Sequence, residues 1–302
     1  MISNSPLWGI DLGGTKVEGV IMDPQNPTAP IYRLRRDTEA SLGYEHILSQ
    51  IIGVIADLEL ASGLSHPSTI GIGTPGVVEP ITGSLKNSNT TCLNGRPLRD
   101  DLSLALECDV VMANDANCFA LAEALCGAAR NAEVVLGLIL GTGVGGGIVI
   151  NGKVLNGHHG IAGEWGHNPL CGETRLCYCG RKGCVESVIA GPSLERFYHE
   201  NGGEKVRLPE IVSRSLAGEV LASQTLEVLR SKFAQAIAAV MNILDPDVIV
   251  IGGGVGNISL LYDEATREAI LRHLFNSEMT TRIIPPQLGD SAGVFGAALL
   301  TA

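Results

Sequence analysis

The stretch LGTGVGGGIVINGKV, residues 140–154, contains a glycine run between two apolar, β-branched segments. This pattern predicts a β-hairpin with the glycines at its tip. A second hairpin is predicted near the start of the chain, where DLGGTK, residues 11–16, separates two strand-like segments. Further strands and helices follow each hairpin, so we interpret the chain as a weak internal duplication of a βββαβαβα unit.

The glycine run is typical of a phosphate-binding loop, because glycine lets backbone N–H groups approach an anion without a Cβ in the way. Gly141, Gly143 and Gly146 match the dinucleotide-binding spacing, but that motif requires a helix directly after it, and here IVI, residues 148–150, continues as strand. No GxxxxGK[ST] motif occurs either. A third glycine cluster lies at residues 252–254. The two hairpin tips and this cluster together favour a shared nucleotide site over isolated structural turns.

Helices are indicated where apolar residues recur every three or four positions. This spacing predicts a helix over residues 43–60 and a long amphipathic helix over residues 226–244. Residues 24–30 are proline-rich and predict a turn before a third strand at residues 31–36. The segment GVFGAALLTA, residues 293–302, predicts a helix of small residues that can pack closely against its neighbours.

Composition and charge limit the class of protein. With 302 residues and 45% hydrophobic content, the chain is long enough for two domains with sizeable cores. The net charge of −11 disfavours a nucleic-acid or anionic membrane surface, since both need clustered lysine and arginine. No signal peptide or membrane-length apolar run is evident. Eight irregularly spaced cysteines suit a reducing compartment, so we expect a soluble cytoplasmic protein.

Two carboxylates are candidates for chemistry. Asn114 and Asp115 open NDANCFALAEA, where a strand is predicted to turn into a helix. Asp115 is there either a cap for the first helical turn or a general base for a hydroxyl. Glu164 lies beside Trp165 in a glycine-bounded turn. It is either a solvated surface charge or a bidentate acceptor for neighbouring hydroxyls.

A spacing typical of metal ligands follows this turn. His167, Cys177, Cys179 and Cys184 form H-x9-C-x-C-x4-C, which suits a closed tetrahedral zinc site of nitrogen and sulfur ligands. C-x-C is not the common C-x-x-C, so free thiols stay an alternative on spacing alone. Cys171 is a further ligand candidate. The remaining cysteines are expected to be small buried residues, namely Cys92, Cys108, Cys118 and Cys126.

These motifs carry a family resemblance. DLGGTK, GTGVGGG and IGGG look like the phosphate and adenosine motifs of the sugar-kinase and actin-like ATPase superfamily. NDANCFALAE, GEWGH and CYCGRKGC resemble the ROK family (repressors, open reading frames, kinases), and the resemblance covers essentially the whole chain. It implies an α/β fold of two actin-like (ribonuclease H-like) ATPase domains with a cleft between them. Residues 1–113 plus 290–302 would form the smaller domain, and residues 114–289 the larger one with the zinc motif.

The resemblance also implies roles for single residues in an ATP-dependent hexose kinase with Mg²⁺ and a structural Zn²⁺. Asp115 would be the general base, and Asp11 would orient Mg²⁺, directly or through water. The implied zinc ligands are His167, Cys177, Cys179 and Cys184, and His167 would face the sugar with its second nitrogen. The implied sugar-binding residues are Gly76, Asn89, Asn114, Asp115, Glu164, His167 and Glu186. The implied ATP-binding residues are Asp11, Gly13, Gly14, Thr15, Lys16, Gly141, Thr142, Gly143, Gly253 and Gly254.

The motifs define the identity of the sugar less closely than the type of reaction. KNSNTTCLNG, AGEWGHNPL and NILDPDVIVIGGG look most like manno(fructo)kinases, which favours fructose or mannose and a sugar 6-phosphate product. Cys92, where many relatives carry tryptophan, leaves one pocket wall uncertain. Kinases for N-acetylglucosamine, N-acetylmannosamine or glucose are the alternative, because the same Glu–His–Glu set serves acetamido sugars.

Two alternatives from other classes have less support. The family's sugar-responsive repressors carry a DNA-binding helix-turn-helix before the first hairpin, and here only a few residues precede Trp8 in an acidic chain. A non-catalytic, zinc-stabilised binding module is disfavoured by the complete set of nucleotide motifs. We expect a hexose as partner, no nucleic acid and no membrane, and by analogy with relatives a homodimer.

Overall fold

This computed structural model describes residues 5–302, which form an α/β fold. The strands are β1 (Leu7–Leu12), β2 (Lys16–Asp23), β3 (Asn26–Asp37), β4 (Thr69–Thr74), β5 (Val77–Val78), β6 (Leu85–Lys86), β7 (Asp109–Asn114), β8 (Val134–Leu140), β9 (Val144–Ile150), β10 (Lys153–Val154), β11 (Val248–Gly252) and β12 (Arg282–Ile284). The helices are α1 (Tyr44–Ser62), α2 (Leu98–Leu106), α3 (Asp115–Leu125), α4 (Glu186–Ile189), α5 (Gly191–Glu200), α6 (Leu208–Leu216), α7 (Val220–Leu244), α8 (Gly253–Gly256), α9 (Glu264–Leu271) and α10 (Ala292–Leu299).

The two large sheets have the same strand order. One runs β3-β2-β1-β4-β7 and the other β10-β9-β8-β11-β12. In the first sheet β1, β2 and β3 form an antiparallel meander, whereas β1, β4 and β7 are parallel. In the second, β8, β11 and β12 are likewise parallel, and β9 pairs antiparallel with β10. This shared order confirms the predicted duplication.

Contacts divide the chain into two compact units. Unit 1 holds the described residues up to Asn131 together with Gly147–Ala162 and Gln287–Ala302. Unit 2 holds Ala132–Gly146 and Gly163–Pro286. The domain limits proposed from sequence, residues 1–113 plus 290–302 and residues 114–289, stay a prediction.

In unit 1, α1 supplies much of the core. Its buried residues Ile47, Ile51, Ile55 and Leu58 recur at helical spacing, as predicted, and belong to the same cluster as the strand residue Ile10. Burying apolar side chains of this size contributes roughly 1.5–3 kcal/mol each. The core of unit 1 is therefore built between α1 and its sheet.

Helix α10 lies closer to its neighbours than side chains allow. Gly9 of β1 and Gly71 of β4 are paired across the parallel ladder, and a Cβ on either would overlap backbone atoms of Ala298 or Ala297 in α10. On another face, a Cβ on Gly296 would overlap the carbonyl of Cys118 in α3. Glycines on both partners thus let α10 pack against backbone, which confirms the close packing predicted for this helix.

Unit 2 is built around α7. The predicted amphipathic helix is confirmed, and it begins at Val220, six residues before the predicted start. Its residues Leu229, Phe233 and Ile237 are fully buried. All residues of β11 are buried as well, as expected for a central parallel strand. Within residues 5–302 no helix combines the length and the apolar content needed to cross a membrane.

Strand β3 corrects one prediction. The proline-rich residues 24–30 were predicted as a turn, but the strand begins at Asn26 and contains Pro27 and Pro30. β3 is the outermost strand of its sheet, where a proline without an N–H leaves no ladder position unpaired. The pairing with β2 is irregular beside Pro30, which accommodates the missing donor.

Glu123 of α3 is a buried carboxylate that accepts hydrogen bonds from three backbone N–H groups. It accepts hydrogen bonds from Ala128 (2.7 Å), Gln287 (3.1 Å) and Leu288 (2.9 Å), and its side chain has no exposed surface. We expect Glu123→Gln to lower the free energy of unfolding by about 2 kcal/mol, because the amide NH₂ cannot accept and the charge-assisted bonds are lost. Urea unfolding measures the change. Exposed Glu133→Gln is the control, and an equal effect of the two variants contradicts the prediction.

Candidate active site

Two carboxylates lie at the carboxyl ends of β1 and β7, the strands on either side of β4 in unit 1. Asp11 is the penultimate residue of β1 and is half-buried, and Asp115 directly follows β7. β1 and β7 pair with opposite edges of β4, all three in parallel, so their carboxyl ends meet at one edge of the sheet. The two charges act on each other there. In open α/β sheets this edge is where ligands bind.

Glycines make room for the Asp11 carboxylate. A Cβ on Gly73 would lie 3.2 Å from Asp11 Oδ1, and one on Gly293 would lie 2.9 Å from Oδ2. Burial, with the charges of Asp115 and Glu18, raises the pKa of Asp11 to about 7. A carboxylate that is costly to ionise next to a second carboxylate suits a hard divalent cation such as Mg²⁺, which binds oxygen ligands. The residues therefore fit the predicted magnesium role.

The first glycine hairpin forms a tight, exposed tip. Gly13 N–H donates to the Lys16 carbonyl (2.8 Å), and the Thr38 hydroxyl donates to the Gly13 carbonyl (2.7 Å). Gly14, Thr15 and Lys16 are exposed. The braced turn thus presents the residues that carry a hydroxyl and an ammonium group, Thr15 and Lys16, to solvent, which suits a phosphate site.

The β7–α3 junction separates the two interpretations of Asp115. The Asn114 side chain accepts from Asn117 N–H (2.7 Å) and is the helix cap. Asp115 Oδ1 accepts from Ala116 N–H (2.8 Å), and burial raises the pKa of Asp115. Because Asn114 already caps α3, capping does not require a carboxylate at Asp115.

The loop predicted to bind sugar is braced by its own side chains. Asn94 accepts from Ser88 N–H and donates to the Ser88 carbonyl, both at 2.9 Å. Asn89, next to this clamp, is exposed. Gly76 packs so closely on residues 85–88 that a Cβ would lie 2.8 Å from the Lys86 carbonyl oxygen. Gly76 therefore shapes the loop, and Asn89 is one of its accessible polar side chains.

In unit 2 the second glycine tip opens a large cavity. The β8–β9 hairpin is confirmed, and Gly141 and Thr142 of its tip line a cavity of about 620 Å³ together with Gly254. Gly253 has φ +82°, and a Cβ there would overlap the Leu140 carbonyl. This volume suits a nucleotide-sized ligand. Two of the three glycine clusters predicted to share a nucleotide site thus meet in unit 2.

The remaining walls of this cavity were not predicted. They come from α5 and α6, with Pro192, Leu208 and Val212 as apolar surfaces, and from residues between Val255 and Ser259. Glu195 is a carboxylate of the lining, and it accepts from Leu208 N–H at 2.9 Å. The sequence carried no signal for these residues, because their types are ordinary for helices. Only the packing of α5 beside α6 brings them to the glycine tip.

Glu186 links the glycine tip to the metal-type residues. Its Oε2 accepts from Val144 N–H (2.9 Å), and a Cβ on Gly143 would lie 2.8 Å from the same oxygen. Trp165 donates to the Gly145 carbonyl (3.3 Å). The turn that carries Glu164 therefore packs on the glycine strand, so part of the glycine run serves close packing in addition to the predicted anion binding.

The predicted zinc ligands come together. One ligand atom from each of His167, Cys177, Cys179 and Cys184 lies within 4.8 Å of every other. Cys179 and Cys184 Sγ are 3.6 Å apart, and the Cys177 Sγ is 3.7 Å from His167 Nδ1. Cys171 is exposed and does not belong to this cluster. One nitrogen and three sulfurs at this spacing fit a tetrahedral structural zinc site.

The other cysteines follow the prediction in part. Cys108, Cys118 and Cys126 are buried, whereas Cys92 is only half-buried. Burial raises the pKa of Cys126 to about 11, so its thiol stays neutral. These three behave as small apolar residues.

His167 has protein partners on both ring nitrogens. Nδ1 faces Cys177, and Nε2 is 3.2 Å from the hydroxyl of Tyr178. The prediction that the second nitrogen faces the sugar thus requires the Tyr178 hydroxyl to move aside.

The pKa of Asp11 gives a testable pH dependence. Its folded pKa of about 7 lies above its ordinary 3.8, so between these values the folded state binds a proton that the unfolded state releases. The contribution of Asp11 to the free energy of unfolding must therefore decrease as the pH rises through this window. We expect wild type to lose about 2 kcal/mol more than Asp11→Asn between about pH 5 and about pH 8 in magnesium-free buffer. Urea unfolding curves give both values, and parallel pH profiles contradict the prediction.

A family model described as the ROK family matches residues 7–302. The chain belongs to the ROK family. The N-acetyl-D-glucosamine kinase of Aliivibrio salmonicida is 35% identical over 303 residues, which covers 97% of this chain and 98% of that protein. The family recognised from the motifs is thus confirmed.

Solved ROK structures agree with the fold. A ROK hexokinase from Thermus thermophilus shares 31% identity at a TM-score of 0.84, covering 98% of this chain and 97% of that chain. A ROK family glucokinase from Streptomyces griseus, solved with glucose and AMPPNP, shares 26% identity at a TM-score of 0.75, covering 97% and 98%. The predicted α/β class with actin-like architecture is confirmed, whereas the roles of single site residues stay predictions.

Proposed function

We propose that this ROK protein transfers a phosphoryl group from ATP to N-acetylglucosamine, giving the 6-phosphate. The similarity to curated N-acetyl-D-glucosamine kinases, 34–35% identical over 97% of the chain, carries this proposal. The preference for fructose or mannose predicted from residues 86–98 has less support, because these relatives are named for the acetamido sugar.

Asp115 is the proposed general base. A buried carboxylate with a raised pKa accepts a hydroxyl proton more readily than an exposed one. Asn114 and the exposed Asn89 are proposed to hold sugar hydroxyls. Glu164 and Glu186 are proposed to accept hydrogen bonds from neighbouring hydroxyls, and His167 to lie beside them. Matching several hydroxyls with hydrogen-bonding groups is how such a site rejects an analogue that lacks one of them.

In each unit, residues of the glycine tip are proposed to have a role in nucleotide binding. The cavity beside Gly141 and Thr142 suits the adenosine, while Thr15 and Lys16 offer a hydroxyl and an ammonium group to the transferring phosphate. Asp11 is proposed to hold Mg²⁺, which neutralises phosphate charge when bound. Phosphoryl transfer needs little covalent chemistry from the protein, so positioning by these groups supplies most of the catalysis.

An ADP-release assay with Mg-ATP tests the substrate. N-acetylglucosamine, N-acetylmannosamine, glucose, fructose and mannose are compared by kcat/KM, and product phosphorylation is verified by mass. We expect N-acetylglucosamine to exceed the other sugars by about 10-fold or more. A sugar-free reaction corrects for ATP hydrolysis. Fastest turnover of fructose or mannose would overturn the substrate, and no sugar phosphate from any of the five would overturn the kinase activity itself.

A further inference from the structure

Tyr178 lies in the chain between Cys177 and Cys179, two of the predicted zinc ligands. Its backbone lies in a turn in which Cys177 N–H donates to the Arg181 carbonyl (2.8 Å) and Gly180 N–H donates to the Cys177 carbonyl (3.0 Å). The side chain leaves this turn toward His167 and is 82% exposed. A large aromatic side chain with so much exposed surface contributes little to a core, so its position calls for another explanation.

The contacts of His167 supply that explanation. Nδ1 lies 3.7 Å from Cys177 Sγ, inside the cluster, and Nε2 lies 3.2 Å from the Tyr178 hydroxyl. The two rings meet edge to face, with centroids 5.4 Å apart and planes at 79°. A neutral imidazole carries one N–H and one lone pair, and a metal ligand must use the lone pair. With Nδ1 as ligand, the hydrogen is on Nε2 and the phenol oxygen accepts it.

We propose that, as long as no sugar is bound, Tyr178 is a positioning residue for His167 as a zinc ligand. Its hydroxyl accepts the Nε2 hydrogen, which selects the tautomer with a free Nδ1 lone pair and holds the ring so that this lone pair faces the cysteine sulfurs. Partners of this kind, which hydrogen-bond the second nitrogen of a ligating histidine, change metal affinity by about 10–100-fold. The C-x-C spacing also helps to hold the Tyr178 hydroxyl beside His167, because a zinc ligand on each side of Tyr178 fixes its backbone.

Zinc affinity is the direct test, and it involves neither ATP nor sugar. Wild type, Tyr178→Phe, His167→Ala and the control Tyr32→Phe are stripped of metal and titrated with Zn²⁺ against a chromophoric chelator. Tyr32 packs beside the core of unit 1, so its variant removes a phenol hydroxyl away from the cluster. We expect one Zn²⁺ per chain, with Tyr178→Phe about 10–100-fold weaker and Tyr32→Phe equal to wild type.

Cobalt separates ligand positioning from loop stability. Co²⁺ bound by three thiolates and one nitrogen gives an absorption spectrum that depends on the nitrogen ligand. We expect the Tyr178→Phe spectrum to shift from that of wild type toward that of His167→Ala. Equal zinc affinity of Tyr178→Phe and wild type would overturn the proposal, as would a wild type that binds no Zn²⁺. A Tyr178→Phe protein whose metal-free form already melts well below metal-free wild type would overturn it too, because the hydroxyl would then support the loop itself.

Discussion

Replacing Asp115 with asparagine is expected to lower kcat by about 10²–10⁴-fold while the dissociation constant for the sugar stays within a few-fold of wild type. Asparagine has almost the same shape as aspartate and can still hydrogen-bond a hydroxyl, but it cannot take up the proton. The loss should therefore fall on the chemical step and leave ground-state binding in place.

The position of Asp115 explains why the effect should be large. The carboxylate directly follows β7, and burial raises its pKa above the ordinary value of 3.8. A base with a raised pKa has more driving force for proton abstraction near neutral pH. The capping duty is carried by Asn114, whose side chain accepts from Asn117 N–H. Asp115→Asn should accordingly leave the helix intact.

Steady-state kinetics and calorimetric titration of the sugar measure the two quantities separately. Asp109→Asn is the matched control, because Asp109 begins the same strand and is exposed. We expect the control to retain wild-type kcat. Near-normal turnover of Asp115→Asn would refute the assignment of the base, whatever the substrate proves to be.

The sequence predicted much of the fold because the deciding signals were local. Both glycine hairpins, the apolar spacing of α1 and the small residues of α10 depend on neighbours within a few positions of the chain. The start of β3 could not be predicted in this way. Pro27 and Pro30 are typical of a turn, and only the position of β3 at the sheet edge makes them acceptable in a strand.

In the candidate site, too, the residues with local sequence signals were predictable and those placed by tertiary packing were not. The cysteine cluster and the glycine tips have characteristic residue types at characteristic spacing, so the sequence indicated them. The cavity walls, Leu208 and Val212 among them, are ordinary helix residues that reach the glycine tip only through the packing of α5 and α6. The contact between Tyr178 and His167 was equally hidden, because an exposed tyrosine between two cysteines has no distinctive pattern.

Gly71→Ala is expected to lower the free energy of unfolding by about 3 kcal/mol, a large effect for a single added methyl group. A Cβ at Gly71 would overlap the carbonyl oxygen of Ala297 in α10 and approach Leu300 Cβ to 3.4 Å. Backbone cannot rotate away as a side chain can, so the methyl group must displace α10 as a whole. Gly9, paired with Gly71, faces Ala298 in the same way.

Movement of α10 would also reach the carboxylate site. Gly293, in the first turn of that helix, lies against Asp11, so a shifted helix should weaken magnesium-dependent activity along with stability. Gly14→Ala is the control for urea unfolding, since its Cβ would meet nothing closer than Thr90 Oγ1 at 3.8 Å. If the free energy of unfolding of Gly71→Ala lies within about 0.5 kcal/mol of the wild-type value, the prediction is wrong. The two paired glycines are then not needed for the packing of α10 against the backbone of the sheet.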